Sequence, residues 1–471
     1  MIAGLKPYAE YKNSGLPWLG QVPAHWRTVR NGSLFGQRSQ TGFAELPILE
    51  VSLKTGVQVR AFGNTKRKQV MSDHAKYKRA AKGDLAYNTM RMWQGALGVC
   101  PVDGLVSPAY VVARPYAGVE PRYFAALFRT GDYMAEIDAA SRGIVKDRNR
   151  LYWDQFKQMQ SPCPPLEEQA AIVRFLDWAN GRLERAIRAK RKVIALLLEQ
   201  KRAIIQHALK GGIDSMVELK SSGTPYLGEV PQHWEVVRLK SLGTKFGSGV
   251  TPRGGAAVYQ DSGIPLLRSQ NIHFGELRLH NVARIAPAVH EAMAGTHVRP
   301  GDVLLNITGA SLGRVCAVPP GVEAANVNQH VCIVRPIQTR CNSDYLAMFL
   351  GTAAVQTAIY VAQNGSSREG LPVSEVKALP IALPPLREQQ MIWYEVQRQA
   401  VGVHSATDRL EREIELLREY RTRLIADVVT GKLDVREAAA CLPDGVTAGI
   451  EGEPIDETDD PELIDEEATE A

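Results

Sequence analysis

The sequence predicts an α+β protein, with two pseudo-repeated mixed domains separated by a long antiparallel two-helix coiled coil. Three observations support this fold class. A set of sequence blocks occurs twice in the same order, each copy ends in a long amphipathic stretch after a proline pair, and the residues between the blocks contain short β-branched runs. A repeat of about 210 residues is far longer than the unit of a solenoid, so it indicates a duplicated domain.

Three short blocks carry the duplication. In the first copy they read SGLPWLGQVPAHW, GDLAYN and PPLEEQ, and in the second they read SGTPYLGEVPQHW, GDVLLN and PPLREQ. The stretches between the blocks have diverged, which indicates one framework that carries two different surfaces. The copies begin at Ser14 and Ser222, at Gly83 and Gly301, and at Pro164 and Pro384.

The duplication also predicts the domain boundaries. Two mixed domains, at 11–160 (domain one) and 213–380 (domain two), contain β-branched runs bounded by Gly, Pro and Asn, which is the pattern of short strands. Spacer helices are predicted within 161–212 and 381–436. A final segment at 442–471 holds twelve Asp or Glu residues and no Lys or Arg, a composition typical of disorder.

Each proline pair predicts the start of a long helix, at 166–210 and at 386–430, because proline at the first helical position loses no hydrogen bond. Gly211 and Gly431 favour helix ends at those points. Both helices keep one heptad register, which predicts a coiled coil; two separate amphipathic helices on two cores are the alternative. The predicted core residues are Leu183, Ile187, Ile194, Leu197 and Ile204 on the first helix, and Leu410, Ile414, Leu417, Leu424 and Val428 on the second.

The charge distribution favours a polyanionic partner. The chain has a net charge of +5, and removing the twelve acidic residues of the final segment leaves +17 on residues 1–441. A solvated basic surface is the alternative. The absence of an apolar run of about 18 residues, and of a secretion signal near Met1, predicts a cytoplasmic protein with no membrane contact. The six cysteines lack zinc-site spacing, so no metal is expected.

The duplicated blocks together resemble the specificity subunits of type I restriction-modification systems, over residues 11–436. The resemblance implies that each domain is a target-recognition domain reading one half of a bipartite DNA site, and that the spacer helices set the spacing and dock methyltransferase subunits. The implied partners are double-stranded DNA, two methyltransferase (modification) subunits and restriction/motor subunits. S-adenosylmethionine, ATP and Mg²⁺ are expected on those partners, and no cofactor is expected in this chain.

The sequence predicts no catalytic residue. It lacks the Asn/Asp-Pro-Pro-Tyr/Phe motif of an adenine methyltransferase and the phosphate-binding loop of a motor. His25-Trp26 and His233-Trp234 lie in the repeated framework, where a packed Trp with a hydrogen-bonded His is the better interpretation. We expect this block to dock the start of each domain onto the helix that arrives from the other repeat.

Candidate DNA-contacting residues lie in the diverged loops, because bases and phosphates are contacted by Arg, Lys, Asn, Gln, Ser and Thr. The first set, in domain one, is Arg142, Lys146, Arg148 and Arg150. The corresponding set in domain two is Ser366, Ser367 and Arg368. Weaker candidates, for which a surface loop is an equal alternative, are Arg91, Arg268, Asn271, Thr308, Ser311, Arg314, Asn328 and Gln329.

Two other functions remain open at this stage. The chain could be the recognition subunit of a fused restriction-methylation enzyme, which has the same binding role and different partners. It could also be a coiled-coil adaptor that binds protein and not DNA, although the basic body and the diverged polar loops count against that interpretation.

Overall fold

Two sets of strands and helices follow the duplicated sequence. The computed structural model describes residues 5–53, 55–60, 74–141, 149–211, 217–322, 324–364 and 370–443. The chain divides into two compact units. Unit one is Met1–Lys190 with Arg412–Ala471, and unit two is Arg191–Glu411.

The first repeat is a mixture of short strands and helices that ends in one long helix. Its strands are β1 (Tyr11–Asn13), β2 (Gln21–Pro23), β3 (Arg27–Arg30), β4 (Phe35–Arg38), β5 (Leu49–Ser52), β6 (Gly56–Val59), β7 (Lys78–Ala80), β8 (Leu85–Asn88), β9 (Leu97–Val99), β10 (Gly104–Val106), β11 (Tyr110–Pro115) and β12 (Gln160–Cys163). Its helices are α1 (Pro121–Phe128), α2 (Gly131–Ala140), α3 (Trp153–Phe156) and α4 (Leu166–Gly211).

The second repeat has the same plan with a larger insertion. Its strands are β13 (Leu219–Ser221), β14 (Glu229–Pro231), β15 (Glu235–Arg238), β16 (Gly243–Ser248), β17 (Ile264–Leu267), β18 (Ile272–His273), β19 (Glu276–Leu277), β20 (Ala283–Ile285), β21 (Val303–Asn306), β22 (Val315–Ala317), β23 (Asn326–Val327), β24 (Val331–Pro336) and β25 (Pro380–Leu383). Its helices are α5 (Pro287–Ala292), α6 (Ser343–Leu350), α7 (Ala353–Asn364), α8 (Val373–Ala378), α9 (Leu386–Val429) and α10 (Arg436–Ala440).

The same sheet lies at the centre of each domain. Domain one has a four-stranded antiparallel sheet in the order β4-β11-β8-β9, and domain two has β16-β24-β21-β22 in the corresponding order. The Gly-Asp block supplies the turn into β8 and β21, where Gly83 and Gly301 adopt positive φ values of 88° and 81°. Only glycine takes this conformation without strain, which explains why the block begins with glycine twice.

A smaller sheet joins the first and third blocks of each repeat. The strand that follows the His-Trp pair aligns antiparallel to the strand that precedes the proline pair: β3 pairs with β12, and β15 pairs with β25. These pairings close each domain, because they bring the beginning of the domain to the start of its own long helix. The predicted α+β class is confirmed by this mixture of sheets and helices with two long helices.

The two long helices run antiparallel where they pair. In unit one, Lys190 of α4 bonds Glu413 of α9, and Glu184 bonds Arg421, so the partner number rises as the α4 number falls. In unit two, Ala208 near the end of α4 packs on the same core as Ile392 near the start of α9. The helices begin at Leu166 and Leu386, directly after the proline pairs.

Candidate nucleic-acid interface

A buried glutamate anchors the framework of unit one. The carboxylate of Glu168, in the first turn of α4, accepts hydrogen bonds from Trp26 Nε1 at 2.9 Å and Tyr8 Oη at 2.6 Å, and lies 2.7 Å from His25 Nε2. Trp26 is fully buried, and Glu168 is 5% exposed. Trp26 packs in a core that includes Val428 and other residues at the end of α9. The His-Trp pair therefore touches both its own helix and the helix from the other repeat.

Unit two repeats this arrangement. Glu388, in the first turn of α9, accepts from Trp234 Nε1 at 3.1 Å and lies 2.8 Å from His233 Nε2. Trp234 belongs to the core against which Ala208 and Leu209, at the end of α4, pack. Sequence reasoning missed the glutamate, although the first block repeats a Trp and the third block repeats a Glu, and a buried Trp N–H needs a fixed acceptor.

The adjacent glutamine ties the long helix to the domain. Gln169 donates from Nε2 to the Pro164 carbonyl at 2.8 Å and accepts from the Glu120 N–H, at the cap of α1, at 2.8 Å. Gln389 makes the matching bonds to the Pro384 carbonyl and to the Asn342 N–H at the cap of α6, both at 2.8 Å. Two successive residues of the third block, Glu168 and Gln169 in the first copy, thus hold the domain on its long helix.

The aspartate of the second block fixes the central sheet through a different arginine in each domain. Asp84 pairs with Arg38 of β4 at 2.6 Å, whereas Asp302 pairs with Arg335 of β24 at 2.7 Å. The hydrogen bond to Asp302 raises the pKa of Arg335. The ion pair is retained while its basic partner has moved to a neighbouring strand.

The main candidate loops leave equivalent points of the two domains. The Leu151 N–H donates to the Thr89 carbonyl at 2.9 Å, and the Leu371 N–H donates to the Ile307 carbonyl at 2.7 Å. Each leucine follows its loop in the sequence, and each acceptor directly follows the Asn of the second block. Arg150 is exposed beside Leu151. The other predicted loop residues, Arg142, Lys146, Arg148, Ser366, Ser367 and Arg368, lie outside the described residues.

The weaker candidates have different surroundings. Arg91 is half-buried beside Tyr110, whose pKa is raised by burial and lowered by the guanidinium. The guanidinium of Arg268 lies 5.7 Å from the ring centre of Tyr259. Asn271 is 2% exposed, and its amide accepts from the Arg268 N–H and donates to the Arg278 carbonyl, so both of its polar groups hold the turn after β17.

Several chain segments meet at one edge of domain two. The Asn328 N–H donates to the Leu267 carbonyl at 3.0 Å, and the Ile307 N–H donates to the His330 carbonyl at 2.9 Å. Gly249 allows a third segment to approach, since a Cβ at this position would lie 1.9 Å from a backbone oxygen. We call the polar residues at this edge the domain-two rim: Thr251, Arg268, Thr308, Gln329 and His330. Sequence analysis singled out Arg268, Thr308 and Gln329 but missed Thr251 and His330.

Burial along the long helices follows the heptad register. In unit one Leu183, Ile187, Ile414, Leu424 and Val428 are buried, and Leu417 is half-buried. In unit two the structure half-buries Ile194, Leu197, Ile204 and Leu410. Lys190 of α4, one turn after Ile187, forms an ion pair with Glu413 of α9 across the helices.

The same helices also expose large apolar side chains. In unit two these are Val193 (44% exposed), Leu196 (56%) and Leu198 (42%) on α4, and Met391 (56%), Tyr394 (67%) and Val401 (65%) on α9. In unit one Leu416 is 63% exposed. Large apolar side chains that stay exposed on paired helices are candidates for a protein-protein docking surface.

The described residues contain no group of three His, Cys, Asp or Glu side chains placed to hold a metal ion. Within the same residues, no single helix is long and apolar enough to cross a membrane, although the bent pair Ser343–Leu350 and Ala353–Gln363 meets the length and composition criteria.

Comparisons with known proteins agree with the resemblance. Residues 231–398 match the family model described as the type I restriction modification DNA specificity domain. The chain is 22% identical over 457 residues to the putative type I restriction enzyme MjaX specificity subunit of Methanocaldococcus jannaschii, covering 93% of this chain and 100% of that protein. It is 23% identical over 260 residues to the type I restriction enzyme EcoBI specificity subunit of Escherichia coli, covering 54% of this chain and 53% of that protein.

One solved structure supports the fold. It is a chain from a study named "Structural basis underlying complex assembly and conformational transition of the type I R-M system". It superposes with a TM-score of 0.55 at 18% identity, over 88% of this chain and 99% of that one. At this identity the likeness supports the architecture of the domains and helices and no individual contact.

Proposed function

We propose that this chain, a relative of the type I restriction-modification specificity subunits, is a non-catalytic DNA-recognition subunit in which each domain reads one half of a bipartite site. The observation that carries the proposal is the contrast between framework and loops. The Glu-Trp-His anchor is built twice with the same bonds. The two candidate loops end at equivalent backbone hydrogen bonds, those of Leu151 and Leu371. The candidate residues in the loop of domain one are four basic residues, and those in the loop of domain two are two serines and one arginine.

This contrast fits two readers of different sequences. Phosphate contacts supply affinity, and base contacts supply specificity. A common framework can present both loops to DNA in a similar way, while different side chains select different bases. The net charge of +17 on residues 1–441 suits a polyanion, and its contribution to affinity should fall with salt.

We further propose that the paired helices set the distance between the half-sites. Both α4 and α9 contribute residues to unit one and to unit two, because each unit boundary falls within a helix. A helix adds about 1.5 Å for each residue. A change in helix length is therefore expected to change the number of unread base pairs between the two half-sites.

The exposed apolar residues of the helices are the proposed docking surface for two methyltransferase subunits, with restriction/motor subunits completing the complex. Apolar side chains such as Leu196 and Val401 lie outside the helix pair, so burial against a partner would stabilise an assembly. In this proposal S-adenosylmethionine, ATP and Mg²⁺ belong to the partners, and the role of this chain is to select the DNA.

The experiment is a map of methylated adenines in host DNA with and without this gene, using the same partner methyltransferase. The expected result is loss of one split motif, with two short half-sites around a fixed gap. A paired variant with seven residues (two helical turns) inserted into both α4 and α9 should keep both half-sites and lengthen the gap. An unchanged map from an active methyltransferase that fails to co-purify with the chain would refute the proposal and favour the protein-binding adaptor.

A further inference from the structure

The amide of Gln329, in the turn between β23 and β24, is held on both sides by side chains of the domain-two rim. Thr251 Oγ1 donates to Gln329 Oε1 at 2.6 Å, and Gln329 Nε2 lies 3.0 Å from His330 Nε2. The other ring nitrogen, His330 Nδ1, lies 2.5 Å from Thr308 Oγ1. Gln329 is nevertheless exposed, so its outer edge faces solvent.

These contacts form a hydrogen-bonded row that can run in either of two directions, of which one is as follows. The Thr251 hydroxyl donates to the amide oxygen, and the amide N–H donates to the Nε2 lone pair of His330. The Nδ1 atom of His330 then carries the proton and donates to Thr308. If the Gln329 amide is turned by 180°, each donor in the row becomes an acceptor and each acceptor becomes a donor, and the number of hydrogen bonds stays the same. In both arrangements Gln329 keeps one N–H and one oxygen lone pair that no described residue uses.

We propose, resting on the DNA-recognition function above, that Gln329 reads an adenine in the half-site of domain two, with Thr251, His330 and Thr308 as positioning residues. In the major groove adenine presents one acceptor, N7, next to one donor, the N6 amino group. The free N–H and lone pair of Gln329 match this pair. Guanine presents two acceptors and would need a second donor, and cytosine presents only a donor.

Preorganisation strengthens the match. A free glutamine side chain loses rotamer freedom when it binds, whereas the row holds the Gln329 amide in place before DNA arrives. The guanidinium of Arg268, another rim residue, lies 5.7 Å from the ring centre of Tyr259, and its Nε atom is buried with no hydrogen-bond partner in the described part of the chain.

The equivalent turn of domain one lacks this device. The turns align through a shared hydrogen bond: Ser107 Oγ accepts from the Ala109 N–H, as Asn328 Oδ1 accepts from the His330 N–H. Where domain two has Gln329 and His330, domain one has Pro108 and Ala109, which carry no side-chain amide or imidazole. The backbone turn was kept while its readout groups changed, as two different half-sites require.

The test uses the chain assembled with its methyltransferase partners and a library of duplexes in which both half-sites are randomised. Methylated products are sequenced, so the base preference at every position is measured together with total activity. The variants are Gln329→Ala, Gln329→Glu and Thr308→Val. Gln232→Ala is the matched control, because it removes an exposed glutamine in the framework block of the same repeat.

Gln329→Ala should reduce the preference for adenine at one position of one half-site by roughly 5- to 150-fold, the range that corresponds to one bidentate base contact. Gln329→Glu should shift that position toward cytosine, because a carboxylate accepts from the cytosine amino group. Thr308→Val should keep the adenine but weaken the preference several-fold, as a positioning residue would. The other half-site and Gln232→Ala should be unchanged.

The inference is overturned if Gln329→Ala and Gln329→Glu give active enzymes whose two half-sites have wild-type preferences. It is also overturned if the alanine variant lowers activity equally on all sequences and the glutamate variant produces no new base preference. Failure of the proposed function is a separate result, since the wild-type assembly would then methylate no split motif. Thermal melting of each variant confirms that the compared proteins are folded.

Discussion

Replacement of Glu168 by alanine should strongly destabilise unit one, because this carboxylate is the shared acceptor of two buried donors. The carboxylate is 5% exposed and is the acceptor for Trp26 Nε1 and Tyr8 Oη. Alanine would leave both donors buried without a partner, and each such group costs about 1–3 kcal/mol. The expected loss of unfolding free energy is therefore roughly 2–6 kcal/mol. His25 adds little, because its side chain is 40% exposed and water can replace the carboxylate.

Two variants make this prediction discriminating. Glu168→Gln keeps an oxygen that can accept from both donors and loses only the charge, so its expected cost is about 1 kcal/mol. Glu388→Ala removes the same group from unit two, where Trp234 is the buried donor and Glu388 is 19% exposed. Its expected cost is roughly 1–3 kcal/mol.

The assay is urea denaturation followed by near-ultraviolet circular dichroism, with the transition of each unit fitted separately because a two-unit chain need not unfold in one step. The expected order of stability loss is Glu168→Ala, then Glu388→Ala, then Glu168→Gln. If Glu168→Ala and Glu168→Gln destabilise unit one by the same amount, the buried donors are satisfied in another way and the reasoning is wrong.

Three further predictions test the rim, the helix pair and the cysteines. Gly249→Ala should abolish recognition of the second half-site, because the new Cβ would lie 1.9 Å from a backbone oxygen. Gly247→Ala should be neutral, because no atom lies within 4 Å of the new Cβ. Methylation mapping compares the two variants. Ile187→Ala should cost about 2–5 kcal/mol, but Lys190→Ala only about 0–1 kcal/mol, because its ion pair is partly exposed; denaturation that ranks them the other way contradicts a packed apolar core. In the native chain at pH 8, Cys441 should react with a thiol reagent far faster than the five buried cysteines, and rapid labelling of several thiols would contradict their burial.

Burial protects the cysteines in two ways, because it blocks access of the reagent and it raises the pKa of the thiols. Burial raises the pKa of the Cys100, Cys316 and Cys341 thiols to about 12 and that of Cys332 to about 11. Since the thiolate is the reactive form, these groups remain protonated and unreactive at pH 8. Denaturation lowers each pKa to its ordinary value and exposes the sulfur, so all the cysteines should then react at similar rates.

The long helices were predictable because their signals are local. A proline pair marks each start, and the structure begins α4 at Leu166 and α9 at Leu386. Helix periodicity repeats within a few residues, so one sequence is enough to show which face is apolar.

The sheet pairings and the contacts of the rim could not be predicted from the sequence, because they depend on pairing between distant residues. Nothing near β3 indicates that it pairs with β12, more than 120 residues later. Thr251 reaches Gln329 only because β16 lies next to β24, with Gly249 permitting the close approach. Gln329 could be selected from its type and position in a turn, but the neighbours that orient its amide could not.

The blocks are kept in both repeats because each domain must contact two helices, its own long helix and the one from the other repeat. Trp26 uses its N–H on Glu168 at the start of α4, and its ring packs in the core that holds Val428 at the end of α9. A change in this tryptophan would therefore disturb both helices, whereas a change in Gln329 would disturb only a turn. Substitutions at the rim therefore reduce the stability of the fold only slightly, whereas substitutions in the blocks reduce it strongly. Domains with new specificities could then be exchanged between such chains provided that the His-Trp and Glu-Gln residues remain, and the proposed base preference of Gln329 should move with its domain.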